Sequence, residues 1–336
     1  MRYIGVDLHT TQITVCYLTA KDDISIKKYQ LCEIEKFVSS LCSTDEIAVE
    51  ATCNTRWFRE QVEEKVRRVC LVNPREFEVV KNSVKKTDER DAINLARFLR
   101  ADLLPEVRAK GKEAERVQSL VNTRTKLVRL KTSLINKIHA LYISNGWKLK
   151  KASLASEKGL KKVWSESWSE MERLELEIII EQIRSLKVSI KKLEKAIDGE
   201  AEKLAGFENL QTISGIGSLS AGILLAVIGN IKDFETADKL ASYFGIVPRV
   251  SNSNETVHHG RITKKGNKTG RTTLVQCSLA AIKKNEYLKK YYDGVKARRG
   301  HGKAKIALAR KYLTIIYNTL SNNWVFADFN NFELAE

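Results

Sequence analysis

The 336-residue chain has no apolar run long enough to cross a bilayer: its most apolar stretch, Ala221–Gly229, falls far short of the ~20 residues a spanning helix needs. The N-terminus enters a strand pattern directly, without a basic segment and an apolar core, so no signal peptide is expected. None of the six cysteines (Cys16, Cys32, Cys42, Cys53, Cys70, Cys277) forms a C-x-x-C pair. They read as reduced core thiols of a cytoplasmic, prokaryotic-type, nucleoid-associated protein, with neither disulfides nor zinc. Acidic residues are outnumbered. Lys and Arg number 58 against 41 Asp and Glu, a formal charge of +17. An excess of that size attracts polyanions and speeds their encounter, which makes nucleic acid the leading candidate partner and an acidic membrane the second, and with no spanning run no membrane is expected.

Hydrophobic residues at 43% and charged residues at 29% allow each part of the chain to bury a core, so wholesale disorder is excluded. Up to Leu104 the pattern alternates between strand and helix. Tyr3–Leu8, Thr11–Thr19 and Ile24–Leu31 read as successive strands. Helix Ile34–Leu41, strand Glu46–Glu50, helix Arg56–Val66 and strand Val69–Val72 follow, then helices near Arg75–Lys81 and Asp91–Arg100. Three meandering strands followed by alternating helices and strands predict an α/β domain of ribonuclease-H-like (RuvC-like) topology over residues 1–104. Pro105 marks the boundary.

Residues 105–205 form a helical connector with two heptad seams. One runs Val117, Leu120, Arg124, Leu127, Lys131, Leu134, Ile138, Leu141, and the other Leu176, Ile179, Ile183, Leu186, Ile190, Leu193, Ile197. Such helices form an antiparallel coiled-coil hairpin, pair with another subunit, or serve as an ordinary bundle core. Arg124 and Lys131 interrupt the first seam and weaken a self-paired coil. With Arg116 and Arg129 they suit phosphate contact. An all-α domain spans 206–325 and a tail 326–336. Ile213-Ser-Gly-Ile-Gly217 followed by an apolar helix has the form of a helix-hairpin-helix, whose turn at Gly215 and Gly217 can offer amides to phosphate. Helix continues from Lys239 to Leu320 with a polar loop between Pro248 and Gly270. Arg249, Arg261, Lys264, Lys265, Lys268 and Arg271 are further phosphate contacts, as is the basic stretch from Lys283 to Lys311.

Four acids carry the candidate chemistry. Asp7 and Glu50 each end an apolar strand, where a carboxylate is costly unless paired or bound to metal and where open sheets place their ligands. Asp88 and Asp91 lie three apart at a helix start and face one side, with Asp88 a plausible N-cap. Hard oxygen ligands in this arrangement suit Mg²⁺ or Mn²⁺ and in-line attack at a phosphodiester.

Taken in order, Ile4-Gly-Val-Asp7-Leu-His, Glu50-Ala-Thr, Val72-Asn-Pro-Arg75 and Lys86-Thr-Asp88-Glu-Arg-Asp91-Ala92 resemble the DEDD insertion-sequence transposases, which are related to the Piv DNA invertases. The likeness continues through Ile213-Ser-Gly-Ile-Gly217, Lys239-Leu-Ala-Ser-Tyr-Phe-Gly-Ile-Val-Pro-Arg249, Gly260-Arg-Ile-Thr-Lys-Lys-Gly-Asn267 and Lys303-Ala-Lys-Ile-Ala-Leu-Ala-Arg310. The resemblance implies that Asp7, Glu50, Asp88 and Asp91 are the family's four metal-binding acids. It also implies a catalytic serine after the Val-Pro-Arg segment. Alignment back from Gly260 puts it at Ser253, with Ser251 in reserve. The chain departs from the family in having Asn254 and Cys53 where glycine is usual, and His258 and His259 where arginines are common. A serine ester to DNA would conserve bond energy and permit rejoining without ATP, in a composite site to which Ser253 is delivered.

The resemblance further implies double-stranded DNA as donor and target, a structured guide RNA, and a dimer or tetramer. Alternatives are a Holliday-junction-type nuclease or an invertase without RNA guide, and a non-catalytic nucleic-acid-binding protein. The segment from Ile4 to Thr11 also resembles the first phosphate loop of actin-like ATPases and sugar kinases. There, however, His9 replaces a glycine that lets backbone approach phosphate, and no second glycine-rich loop follows.

Overall fold

A computed structural model describes residues 1–74, 76–77, 87–253 and 256–326, and of residues 251–259 the side chains lie outside the description. The chain divides into two compact units, Met1–Ala109 and Lys110–Glu336.

The first unit is built on a five-stranded mixed sheet. Strands β1 (Arg2–Leu8), β2 (Gln12–Thr19), β3 (Ile24–Gln30), β4 (Glu46–Glu50) and β5 (Arg68–Val72) lie in the order β3-β2-β1-β4-β5. β2 is antiparallel to both neighbours, whereas β1, β4 and β5 run parallel. This mixed α/β arrangement is compatible with a ribonuclease-H-like core. Alternation along each strand sorts the side chains onto two faces. Ile4, Val6, Ile13, Val15, Ile47 and Val49 pack beneath helices α1 (Ile34–Val38) and α2 (Thr55–Val62) through Phe37, Phe58 and Val62. On the opposite face Ala48, Cys70 and Val72 meet Leu95 and Leu99 of α3 (Asp88–Arg100), and Cys16 and Leu18 meet Ala92 and Ala96.

The residues of β1 that face α3 are Tyr3, Gly5 and Asp7. Gly5 sets how close α3 can come: a Cβ there would lie 2.0 Å from the Ala92 carbonyl oxygen and 2.6 Å from the Ala96 nitrogen. Any side chain would push the helix off the sheet. The helix expected near Arg75–Lys81 falls for the most part outside the described residues.

In the second unit α4 (Lys112–Ser144) and α6 (Glu170–Ala201) form a long antiparallel hairpin. The direction is fixed by cross-pairs that run in opposite order along the two helices: Lys137 with Glu175, Arg124 with Glu194, Arg116 with Glu200. The basic interruption at Arg124 does not prevent self-pairing, because its Nε and Nη2 donate to Glu194 Oε1 at 2.8 and 2.6 Å. Near the connection between the helices, Tyr142, Trp147 and Trp168 make edge-on contacts over Leu154, Leu160 and Ile180. The connection includes the short helix α5 (Glu157–Lys162).

At the other end Val117, Val121 and Ile197 pack on Ile223 and Ala226 of α8 (Ser218–Ile228). Residues Ala221–Ile228 are all buried, so the most apolar segment of the chain is an internal helix of the second core. Among the described residues, no helix is long and apolar enough to cross a membrane. That core is completed by α7 (Phe207–Thr212), α9 (Ala237–Phe244), α10 (Lys268–Ala281) and α11 (Glu286–Ser321), the last broken at Gly300 by a positive φ of 78°.

Three expectations need correction. The polar loop beginning at Pro248 is a β-hairpin, β6 (Pro248–Ser253) with β7 (Thr256–Ile262), so the C-terminal region is not purely helical. Its strands carry no apolar alternation of the kind that marks a strand resting on a core. The two satisfy each other's backbone groups instead. Cys32, Cys42 and Cys53 are exposed, so only Cys16, Cys70 and Cys277 are core thiols. Finally, the N-cap of α3 is Thr87, whose side chain accepts from the Arg90 amide, and Asp88 is the first helical residue.

Candidate active site

Two strand ends and one helix start converge on a single edge. Val6 of β1 pairs with Val49 of β4, so the next residues along these parallel strands, Asp7 and Glu50, stand side by side at their carboxyl ends. Both have the parity of the α3-facing residues, Gly5 and Ala48. Because α3 passes over Gly5 at Ala92, its first turn, one turn earlier, overhangs Asp7. Asp88 and Asp91 occupy that turn. A close glycine contact therefore determines where the helical carboxylates meet the strand carboxylates.

The tightest group of possible ligand atoms among the described residues is Asp7, His9 and Asp88, with one atom from each lying within 4.8 Å of the others. His9 Nε2 is 3.1 Å from Asp7 Oδ2 and 3.5 Å from Asp88 Oδ2. Glu50, half-buried, and Asp91, buried, flank this group without belonging to it. The backbone around the site is pinned. The Asn54 side-chain amide donates to the His9 carbonyl at 2.9 Å, and the Thr55 hydroxyl donates to the Glu50 carbonyl at 2.8 Å.

Burial pushes the Asp7 carboxyl above its ordinary range; His9 opposes this, while the neighbouring charges of Asp88 and Asp91 add to it. Carboxylates crowded in this way, beside a nitrogen donor, make a donor set that a divalent cation would both fit and relieve. His9 was the residue missed in the sequence, where it stood out only as the loss of a phosphate-loop glycine. Its signal was the spacing: two residues beyond Asp7 at a strand end returns a side chain to the same side.

Ser253 ends β6 opposite Thr256, and Ser251 lies opposite His258. The side chains of both serines lie outside the described residues. The candidate nucleic-acid contacts fall into two kinds. Arg129, Arg249, Arg261, Lys264, Lys265 and Lys268 are exposed, and Lys131 is half-buried. Arg116, although exposed, and half-buried Arg124 pair with Glu200 and Glu194, and Arg271 donates to the carbonyls of Phe244 and Lys264 at 3.0 and 3.4 Å. The two glycines also differ. Gly215, at φ 98°, packs against α10, where a Cβ would lie 2.5 Å from the Cys277 carbonyl oxygen, whereas nothing lies within 4 Å of a Cβ at Gly217. Beside Gly217, Ser218 donates to the Asp198 carboxylate at 2.7 Å, which puts an acid at the start of α8.

An acid-lined sheet edge in one unit and a strongly basic helical second unit are the equipment of an enzyme that works on nucleic-acid phosphodiesters. Two family models cover about two thirds of the chain between them. A DEDD transposase model of the IS110 type matches residues 4–142, and the transposase IS116/IS110/IS902 family model matches residues 207–293. A probable family 20 transposase of Pseudomonas aeruginosa is 27% identical, over 82% of this chain and 83% of its own length. The transposase for insertion sequence element IS1111A of Coxiella burnetii is 29% identical, over 75% of this chain and 71% of its own. A pilin gene-inverting protein of Moraxella lacunata is 35% identical over 34% of this chain and 36% of its own. The chain belongs to the DEDD insertion-sequence transposase family, and is an enzyme of DNA strand cleavage and rejoining.

Proposed function

We propose that this transposase exchanges DNA strands through a covalent serine–DNA intermediate, with Ser253 as nucleophile and Asp7, Glu50, Asp88 and Asp91 as the acids that hold Mg²⁺ or Mn²⁺. The observation that carries the metal half of the reading is the convergence of Asp7 and Asp88 over the carboxyl edge of the sheet, with Glu50 on the adjacent strand end. A divalent cation there supplies Lewis-acid polarisation of a phosphodiester and a lowered effective pKa for an attacking hydroxyl. The protein's own acids would fix its position. The family resemblance supports the serine half.

In the cleavage step the Ser253 oxygen forms a bond to phosphorus, one deoxyribose oxygen leaves, and the serine proton ends on that leaving hydroxyl. In the rejoining step a deoxyribose hydroxyl of another strand attacks the phosphoserine ester. The serine oxygen leaves and regains a proton. One phosphate ester replaces another in each step, so no nucleotide is consumed.

Exposed Arg129, Arg249, Arg261, Lys264, Lys265 and Lys268 are assigned to phosphate contacts on double-stranded DNA and on a structured guide RNA encoded beside the gene. The helix-hairpin-helix reading of residues 207–228 rests on Gly217, where space is open. The hairpin of α4 and α6 acts as a coiled-coil connector within 105–205, ahead of a serine-bearing domain over 206–325, and assembles the protein into a dimer or tetramer. Met171, Leu174 and Ile178, exposed apolar residues along α6, support that last assignment. The similarity to a pilin gene-inverting protein favours one second reading, inversion without an RNA guide.

Trapping covalent protein–DNA adducts with the purified chain, Mg²⁺ and RNA transcribed from the flanking DNA tests these assignments together. Ser253→Ala abolishes the adduct and Ser251→Ala retains it. The reverse result removes Ser253 as nucleophile, and undiminished adduct without RNA favours the unguided reading.

A further inference from the structure

The acid cluster contains one residue that the four-acid scheme does not use. We infer that His9 is itself a ligand, donating a ring nitrogen to the cation held by the acids and biasing the centre toward Mn²⁺ over Mg²⁺. This rests on the metal-centre reading proposed above, and adds a residue and a metal preference to it.

Placement is the first support. One and the same nitrogen, Nε2, faces both carboxylates, at 3.1 Å from Asp7 Oδ2 and 3.5 Å from Asp88 Oδ2. In the tautomer protonated on Nδ1, Nε2 carries its lone pair on the side that meets Asp7 Oδ2 in hydrogen-bond geometry. A cation there would accept all three donors with small adjustments, because the ligand atoms already lie within 4.8 Å of one another.

The second support is how the residue is held. Its amide donates to the Gln12 carbonyl at 3.0 Å and its own carbonyl accepts from Asn54 at 2.9 Å. The amide is committed to the turn between β1 and β2 and the carbonyl to Asn54 at the start of α2, so the ring hangs from a fixed point beside Asp7. The side chain remains 46% exposed and is not wedged in a core. Packing therefore gives no reason for a histidine here, whereas facing two carboxylates does.

A rival account is that His9 simply neutralises the acids as an imidazolium and leaves when a cation arrives. The two accounts differ in a measurable atom: a nitrogen is bonded to the metal in one and absent from its shell in the other. They differ in selectivity too. Mg²⁺ strongly prefers oxygen ligands and gives up water reluctantly, while Mn²⁺ accepts imidazole more readily.

The test is Mn²⁺ and Mg²⁺ binding to the full-length protein by titration calorimetry, with pulsed electron paramagnetic resonance of bound Mn²⁺ to detect a directly coordinated ¹⁴N. Wild type, His9→Ala, His9→Gln and Asp7→Ala are compared, with circular dichroism to confirm that each is folded. The wild-type Mn²⁺ signal carries ¹⁴N modulation that both His9 variants lose. His9→Ala weakens Mn²⁺ binding by about 10-fold and Mg²⁺ binding by no more than about 2-fold. If the His9 variants keep the ¹⁴N modulation and the Mn²⁺ affinity while Asp7→Ala loses binding, the metal centre stands and His9 is not its ligand. If Asp7→Ala binds both ions as wild type does, the metal centre itself is wrong, and the His9 assignment falls with it.

Discussion

The two units place their functional groups by opposite means. In the first, position comes from backbone contact: α3 lies directly on Gly5, and that contact aims Asp88 at Asp7. In the second, most of the assigned groups are exposed cations on helices and on a two-stranded hairpin, and several other cations are tied to internal acids or carbonyls. A site that positions ligand atoms within a few ångström needs rigid support, whereas a surface that meets a polyanion needs charge more than exact geometry. Substitutions should therefore act sharply in the first unit and by increments in the second.

The largest effect is expected at the acids. Asp7→Asn removes a charged ligand, and losing several kcal/mol of transition-state stabilisation should lower covalent-adduct formation by about 10³-fold. The fold should be intact by circular dichroism, because Asp7 sits at a strand end. An active Asp7→Asn protein would remove the first unit's claim to the chemistry. Next is Gly5→Ala. One methyl group against the Ala92 carbonyl should destabilise the unit by about 1–3 kcal/mol, measured by denaturant unfolding, and should also reduce adduct formation by shifting α3. Gly199→Ala in α6, with nothing within 4 Å of the added Cβ, is the contrasting change in the second unit and should have little effect on either measurement. Equal losses at Gly5 and Gly199 would break the contrast between the two units.

The strong elements of the first unit were legible in the chain because their patterns are local. Strand β4 lies at Glu46–Glu50, where its short apolar run was expected, and the remaining strands differ from expectation by a residue at an end. The acids at the ends of β1 and β4 were legible for the same reason. Gly5 and His9 were not, since their meaning depends on α3, which is far away in sequence and close in space. The hairpin of β6 and β7 was hidden because its strands show no apolar face, leaving only a polar stretch to read. The seams of α4 and α6 showed that a hairpin was available. That Arg124 would be met by Glu194 required the antiparallel register, which no periodicity in one helix reveals.

The distinction between exposed and tied cations gives a smaller and graded prediction. Replacing Lys264 and Lys268 singly with Ala should each weaken DNA binding in low salt and reduce the salt-dependence slope by about 1, without changing stability. Arg124→Ala should do the reverse. Its half-buried pair with Glu194 bridges the hairpin, and losing it should cost about 0.5–1 kcal/mol in unfolding while leaving the salt slope nearly unchanged. Binding isotherms over a salt series, paired with urea unfolding, separate the two. A full unit of slope lost at Arg124 would move that residue into the DNA surface.

The smallest effect lies where α6 begins. Ser169 and Glu172 form a reciprocal capping box, and Asn145 at the end of α4 also donates to Glu172, at 2.8 Å. Hydrogen bonds from the Ser169 side chain, then Asn145, then the Ser169 amide, hold the Glu172 carboxyl below its ordinary value. A carboxyl with a lowered folded-state pKa contributes stability that is present above its unfolded pKa and disappears as pH falls through the folded one. Ser169→Ala should therefore slightly destabilise the protein near neutral pH. The difference from wild type should shrink as acid protonates Glu172 in both proteins, because the charged acceptor that the cap serves is then gone. Thermal unfolding of the two proteins across a pH series measures this. A difference that stays constant into the acid range would mean that the cap acts only through the helix backbone, and that Glu172 does not help join α4 to α6.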